Sequence, residues 1–213
     1  MKFERLVEIA GNEPIFDAGL LLAGDVDPAD VRRQLSRWVV AGRLYQVRRG
    51  LYAVAPPFQK VVPHPFFVAN RLVHGSYVSC QAALAYYGLI PEYVDVVTSV
   101  TAARPGRWET PLGVYQFRHV KTELVYGYRL VDVADRQQAF VATPEKALLD
   151  LIYLQPRGDD PSYLQELRLQ NLDVLDLDVL RRQAERAGSA KLKRAAVVVA
   201  DMARAEAEEY HEL

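Results

Sequence analysis

The chain has 213 residues, half of them hydrophobic, with 26 Lys and Arg against 27 Asp and Glu and a formal charge of −1. That length allows one large domain or two small ones and the apolar share excludes wholesale disorder, while the near-neutral charge excludes a protein that coats nucleic acid over its whole surface. The single cysteine, Cys80, excludes an internal disulfide, no apolar run approaches the ~20 residues that span a bilayer, and the start MKFERLVEIAGNEP has no signal-peptide character, so a cytoplasmic protein with no membrane partner is expected.

Lys2 to Ala10 sets charges between Phe3, Leu6, Val7 and Ile9, which predicts a short amphipathic helix ending at Gly11. Ile15 to Ala23 predicts a second short apolar helix, stopped by Gly24. Asp27 offers an N-cap, Pro28 suits the first helical turn, and a third helix runs to about Ala41 before Gly42. Its inward face is Val31, Leu35, Trp38 and Val39, and its outward face carries Arg33, Ser36 and Arg37 flanked by Arg32. Leu44–Val47, a turn at Arg48-Arg49-Gly50, and Leu51–Ala55 predict a hairpin. The prolines at 56, 57, 63 and 65 mark a junction. A winged helix-turn-helix over residues 1–57, a linker over 58–63 and a second domain over 64–213 are therefore expected, and a first unit this small is close to the lower limit for a self-standing core.

The second domain reads as mixed α/β. Phe66–Val73 and Ser79–Tyr87 are predicted helices, the latter capped by Ser79 and closed by Gly88. Val94–Thr101, Val114–Val120, Tyr128–Val133 and a short Phe140–Ala142 are predicted strands. Thr143-Pro144-Glu145 opens a strongly apolar helix to about Leu154, in which Lys146 and Asp150 stand four apart and can pair. Helices over 161–169, 178–187 and 191–209 complete the chain, and the acidic tail Glu206, Glu208, Glu209 and Glu212 is expected to fray. The fold class is thus α+β, with a helical C-terminus.

Between Val31 and Pro56 the chain holds six arginines and no carboxylate. A local basic surface on a neutral protein needs an anionic partner, and a helix followed by a basic wing is a common grip on duplex DNA. Arg32, Arg33, Ser36 and Arg37 are placed to donate to bases or phosphates, since arginine binds guanine bidentately. Arg48 and Arg49 at the wing tip suit the minor groove or phosphates, and Arg43, with Tyr45 and Gln46, the DNA backbone. The competing reading is a solvated helix face, against which stand the missing acidic partners and the coincidence of both basic elements. A second basic cluster, Arg181, Arg182, Arg186, Lys191, Lys193 and Arg194, reads better as an exposed helix surface balanced by Glu185 and the tail.

Several motifs in order resemble the AbiEi family of antitoxins from type IV toxin–antitoxin operons. They are the wing Arg49-Gly50-Leu51-Tyr52, YVSCQAALAYYGLIPE (77–92), TSVTAARPG (98–106), TPLGVYQFRHV (110–120), Tyr126-Gly127-Tyr128 and ATPEKALLDLIY (142–153). The resemblance runs from the wing to about Tyr153. It implies a winged helix that binds double-stranded operator repeats and represses its own operon, and a C-terminal domain supporting antitoxicity against a nucleotidyltransferase-like toxin. The alternative is an interaction module that neutralises a toxin by direct contact without DNA binding.

Enzymatic readings fare poorly. Glu145 and Lys146 open a helix rather than lying on a strand beside a metal-binding aspartate, so they do not form a nuclease site. His64, His74, His119 and His211 are scattered and Cys80 is alone, so no zinc site is expected. No nucleotide-binding glycine motif is present. No catalytic residue, metal or cofactor is assigned; the oligomeric state stays open, with no heptad pattern to support a coiled coil.

Overall fold

The computed structural model describes residues 1–22 and 26–211, the last three of these by backbone alone. Helix α1 (Phe3–Ala10) buries Phe3, Leu6 and Ala10 and ends at Gly11, whose N–H reaches the Val7 carbonyl. The predicted second helix forms only in its later part, as a 3-10 helix rather than an α-helix. Strand β1 (Phe16–Asp17) comes first, and then a 3-10 turn over Ala18–Leu22; the expected end at Ala23 and Gly24 lies outside the described residues. The reason is visible in the packing. Ile15 is buried in one hydrophobic cluster and Phe16 in another, and neighbouring side chains reach opposite sides only from an extended backbone.

Helix α2 (Pro28–Val40) starts where the sequence predicts: the Asp27 side chain accepts from the Ala29 N–H at 2.8 Å, and Pro28 occupies the first turn. Strands β2 (Leu44–Arg48) and β3 (Leu51–Val54) pair antiparallel, with Gly50 at φ +82° in the turn and a bulge between Gln46 and Arg48. The small sheet runs β1-β3-β2. Its two faces serve two cores. Leu44, Tyr52 and Val54 join Phe16 against Phe3, Leu6, Val31, Leu35 and Trp38, whereas Val47, Leu51 and Ala53 join Ile15 in the larger core of the second unit. The first unit therefore leans on the second through a shared wall.

The junction is also held by polar contacts. Buried Gln137 accepts from the His64 N–H at 2.7 Å and donates to the Val62 carbonyl at 3.0 Å, and Asp17 pairs with Arg71 across the two units. The second unit comprises α3 (Pro65–Leu72), β4 (Ser76–Val78), α4 (Cys80–Tyr86), β5 (Val96–Thr101), β6 (Gly106–Thr110), β7 (Gly113–His119), β8 (Tyr128–Ala134), β9 (Gln137–Ala142), α5 (Pro144–Leu154), α6 (Pro161–Glu166), α7 (Leu177–Arg186) and α8 (Ala190–His211). The strands form one mixed sheet in the order β6-β7-β5-β4-β9-β8. The molecule is thus α+β with two sheets and a helical C-terminal part. Helix α5 sits at its centre, with every side chain from Pro144 to Ile152 buried. The tail departs from expectation at Glu206, whose carboxylate accepts from the N–H groups of Asn171 and Leu172 at 3.0 and 2.7 Å; Glu212 lies outside the described residues.

Candidate nucleic-acid interface

Burying Val31, Leu35 and Trp38 of α2, with Val39 half-buried, fixes which side of the helix faces water. Arg32, Arg33, Ser36 and Arg37 are all exposed on the other side, within one and a half turns of each other. Arg49 is exposed in the two-residue turn of the hairpin. Among the described residues Arg32, Ser36, Arg37 and Arg49 make no side-chain hydrogen bond or ion pair, which keeps their polar ends available for an anionic ligand. One feature of the same face was not anticipated: Val40 is 88% exposed at the end of α2, an apolar side chain one turn beyond Ser36 and Arg37. Its position directly before the helix stop gave no signal that it would escape the core.

The remaining two arginines are placed differently. The Arg43 guanidinium lies over the rings of Phe3 and Phe58, 5.2 and 6.0 Å from their centroids, while Phe3 itself packs edge-on against Trp38 at 5.4 Å. Arg43 thus caps an aromatic cluster and draws its charge to the α1 side. Arg48 is half-buried, and its Nε is enclosed with no hydrogen-bond partner among the described residues. The bulge in β2 accompanies this withdrawal, so Arg49 rather than Arg48 projects at the tip. Arg33 is engaged too: Asp30, one turn earlier, holds its Nη2 at 2.8 Å, both side chains remaining well exposed.

The second basic cluster is largely occupied. Arg181 pairs with Asp178 at 2.7 Å, Arg194 grips Asp159 through Nε and Nη2 at 2.9 and 2.6 Å, Lys191 donates to the carbonyls of Tyr153 and Gln155, and Arg186 stacks 4.1 Å over the Tyr126 ring. Arg194 holds the Asp159 carboxyl below its ordinary range. Arg182 and Lys193 have no ion-pair partner among the described residues.

Deep in the second unit the motif residues form a buried polar knot. Lys146 and Asp150 make a salt bridge with both side chains only 3% exposed. The other oxygen of Asp150 accepts from Tyr77 Oη at 2.9 Å and Ser79 Oγ at 2.8 Å, and Lys146 Nζ lies 4.9 Å from the Tyr126 ring centre. Burial pushes the Asp150 carboxyl up, and the ammonium and two hydroxyls act against that push. Ser79 stands at the N-cap of α4, yet its hydroxyl goes to Asp150 and makes no cap bond. Cys80 is buried at φ +53°, and burial together with Asp150 raises its thiol, so it stays protonated at neutral pH. Glu145 is buried and accepts from the Asp176 N–H at 3.0 Å. Each polar group of the knot is spent on another, which is the arrangement of a core fastener. Among the described residues no group of three or more His, Cys, Asp or Glu could hold a metal ion, and no helix is long and apolar enough to cross a membrane.

This is an α+β protein in which a small three-stranded, helix-backed unit shares a wall with a larger mixed-sheet unit. Its fold is similar to the crystal structure of the Rv2827c protein from Mycobacterium tuberculosis, with a TM-score of 0.56, 17% identity, and coverage of 92% of this chain and 75% of that one. No protein-family model matches the chain, and no curated protein is similar to it.

Proposed function

We propose that the first unit is a winged helix that binds duplex DNA, with α2 as the recognition helix and the β2–β3 hairpin as the wing. The observation that carries this reading is the exposed face of Arg32, Arg33, Ser36 and Arg37, on which Asp30 is the one carboxylate paired with an arginine, on a capped, well-anchored helix followed directly by a hairpin whose tip exposes Arg49. The order α1–β1–turn–α2–β2–β3 with a β1-β3-β2 sheet supports it, being the arrangement that presents one helix and one hairpin tip to a groove. In this account the 3-10 turn over Ala18–Leu22 stands where a helix-turn-helix carries its second helix.

The resemblance of the motifs to AbiEi antitoxins supports a narrower reading: an autorepressor that binds operator repeats and serves as the antitoxin of a nucleotidyltransferase-like toxin. Binding isotherms on duplex DNA over a range of salt test the DNA step. The logarithm of affinity should fall linearly with the logarithm of salt, by about 0.9 for each phosphate contacted. Affinity independent of salt would overturn it.

A further inference from the structure

We infer that helix α8 is a homodimer interface in which two copies of the chain cross antiparallel about Val197. The observation behind this is a line of exposed residues at four-residue spacing, Lys193, Val197 and Asp201, which share one stripe of a 22-residue helix. Val197 is 62% exposed, an apolar side chain at the middle of the stripe with a cation one turn before it and an anion one turn after it. Half-buried Ala200 lies beside it one turn on, a small side chain that leaves room for a second helix to approach.

The stripe borders an open groove of about 800 Å³ between α7 and α8, whose apolar lining includes Leu177, Ala184 and Val197. Four acidic and three basic side chains line the same groove, a near balance with a slight acidic excess that gives DNA nothing to bind. What it does have is self-complementarity. A two-fold axis through Val197 places residues equally distant along α8 opposite each other, so Lys193 of each copy meets Asp201 of the other. Asp201 uses Oδ1 on Arg204 at 2.7 Å and keeps Oδ2 for this contact, and Lys193 has no ion-pair partner among the described residues. A surface that is its own complement fits an isologous contact with a second copy. Because α8 belongs to the second unit and its test needs no DNA, this inference stands apart from the DNA-binding proposal.

Sedimentation equilibrium of the full chain over a wide concentration range tests it, with circular dichroism confirming that each variant is folded. The wild type should sediment at twice the 24.0 kDa of one chain. Val197→Glu, at an exposed site that tolerates polarity, should give monomer. Lys193→Asp should weaken the dimer on the order of tenfold or more, and Lys193→Asp/Asp201→Lys should restore it, since the swap recreates both ion pairs. A wild type that is monomeric throughout, or a dimer indifferent to Val197→Glu, overturns the interface. A dimer broken by Val197→Glu but not restored by the charge swap overturns the antiparallel register.

Discussion

Asp30 Oδ1 lies 2.8 Å from Arg33 Nη2, so one arginine of the proposed DNA face is held by a carboxylate before any DNA arrives. The pair is well exposed, and surface pairs of this kind contribute little to stability. Its effect on binding is larger in principle, because Asp30 also sets a negative charge beside approaching phosphates. Asp30→Asn is expected to raise affinity for duplex DNA about two- to fivefold at low salt, an effect that fades as salt screens it. Fluorescence anisotropy with a labelled duplex reads this directly. Unchanged or weaker binding would remove Arg33 from the interface.

The shared wall has a thermodynamic consequence. A fragment ending at Pro57 would uncover Ile15, Val47 and Leu51, each buried in the intact chain. At about 1.5–3 kcal/mol per fully buried aliphatic side chain, the loss rivals the whole stability of so small a unit. Urea denaturation should find residues 1–57 unfolded or far less stable than the same residues in the full chain. A fragment with a cooperative transition matching the full chain would show that the wall is not needed.

His64 supplies a pH dependence. Its Nδ1 accepts from the Phe66 N–H at 3.2 Å, capping α3, and burial lowers its pKa below the ordinary 6.5. A base whose folded pKa is depressed takes its proton more readily when unfolded. Its contribution is therefore complete above pH 6.5 and is lost as pH falls below that value toward the folded pKa. The thermal midpoint should be flat from pH 8 to about 6.5 and then decline. His64→Asn, which keeps an N-cap acceptor but cannot titrate, should flatten the upper part of that decline. An identical profile in the variant would show that His64 does not titrate the fold.

The knot around Asp150 should behave as a unit. Lys146→Met leaves a buried carboxylate without its cation and is expected to cost about 3–5 kcal/mol. Lys146→Met/Asp150→Asn removes both charges, while the amide oxygen can still accept from Tyr77 and Ser79. It should therefore cost clearly less than the single change. Additive losses in chemical denaturation would show that the two charges are not coupled.

Helices that carry their own punctuation were legible in the sequence. Asp27-Pro28 and Thr143-Pro144 open α2 and α5 as expected, because cap and proline act locally. The Lys146–Asp150 pair was legible as well, since four-residue spacing on a helix sets it. What stayed hidden depends on residues far apart in the chain. Strand β1 forms because Ile15 and Phe16 serve different cores. Strand β4, three buried residues long, is too short to display alternation, and β6 is an exposed edge with no apolar face to read. Arg43 looked equivalent to its neighbours until the fold brought Phe3 and Phe58 beneath it. The Tyr77 and Ser79 bonds to Asp150 span more than seventy residues.

The most direct measurement is a footprint on the DNA just upstream of the gene, with the wild type beside Arg33→Ala/Arg37→Ala/Arg49→Ala and beside Arg43→Ala. All four positions are exposed, so the variants should fold. A DNA-binding winged helix should protect repeated sequence in the wild type, lose that protection in the triple variant, and retain it in Arg43→Ala, whose guanidinium is committed to Phe3 and Phe58. No protection at low salt by a folded wild-type protein, or protection untouched by the triple variant, would contradict it.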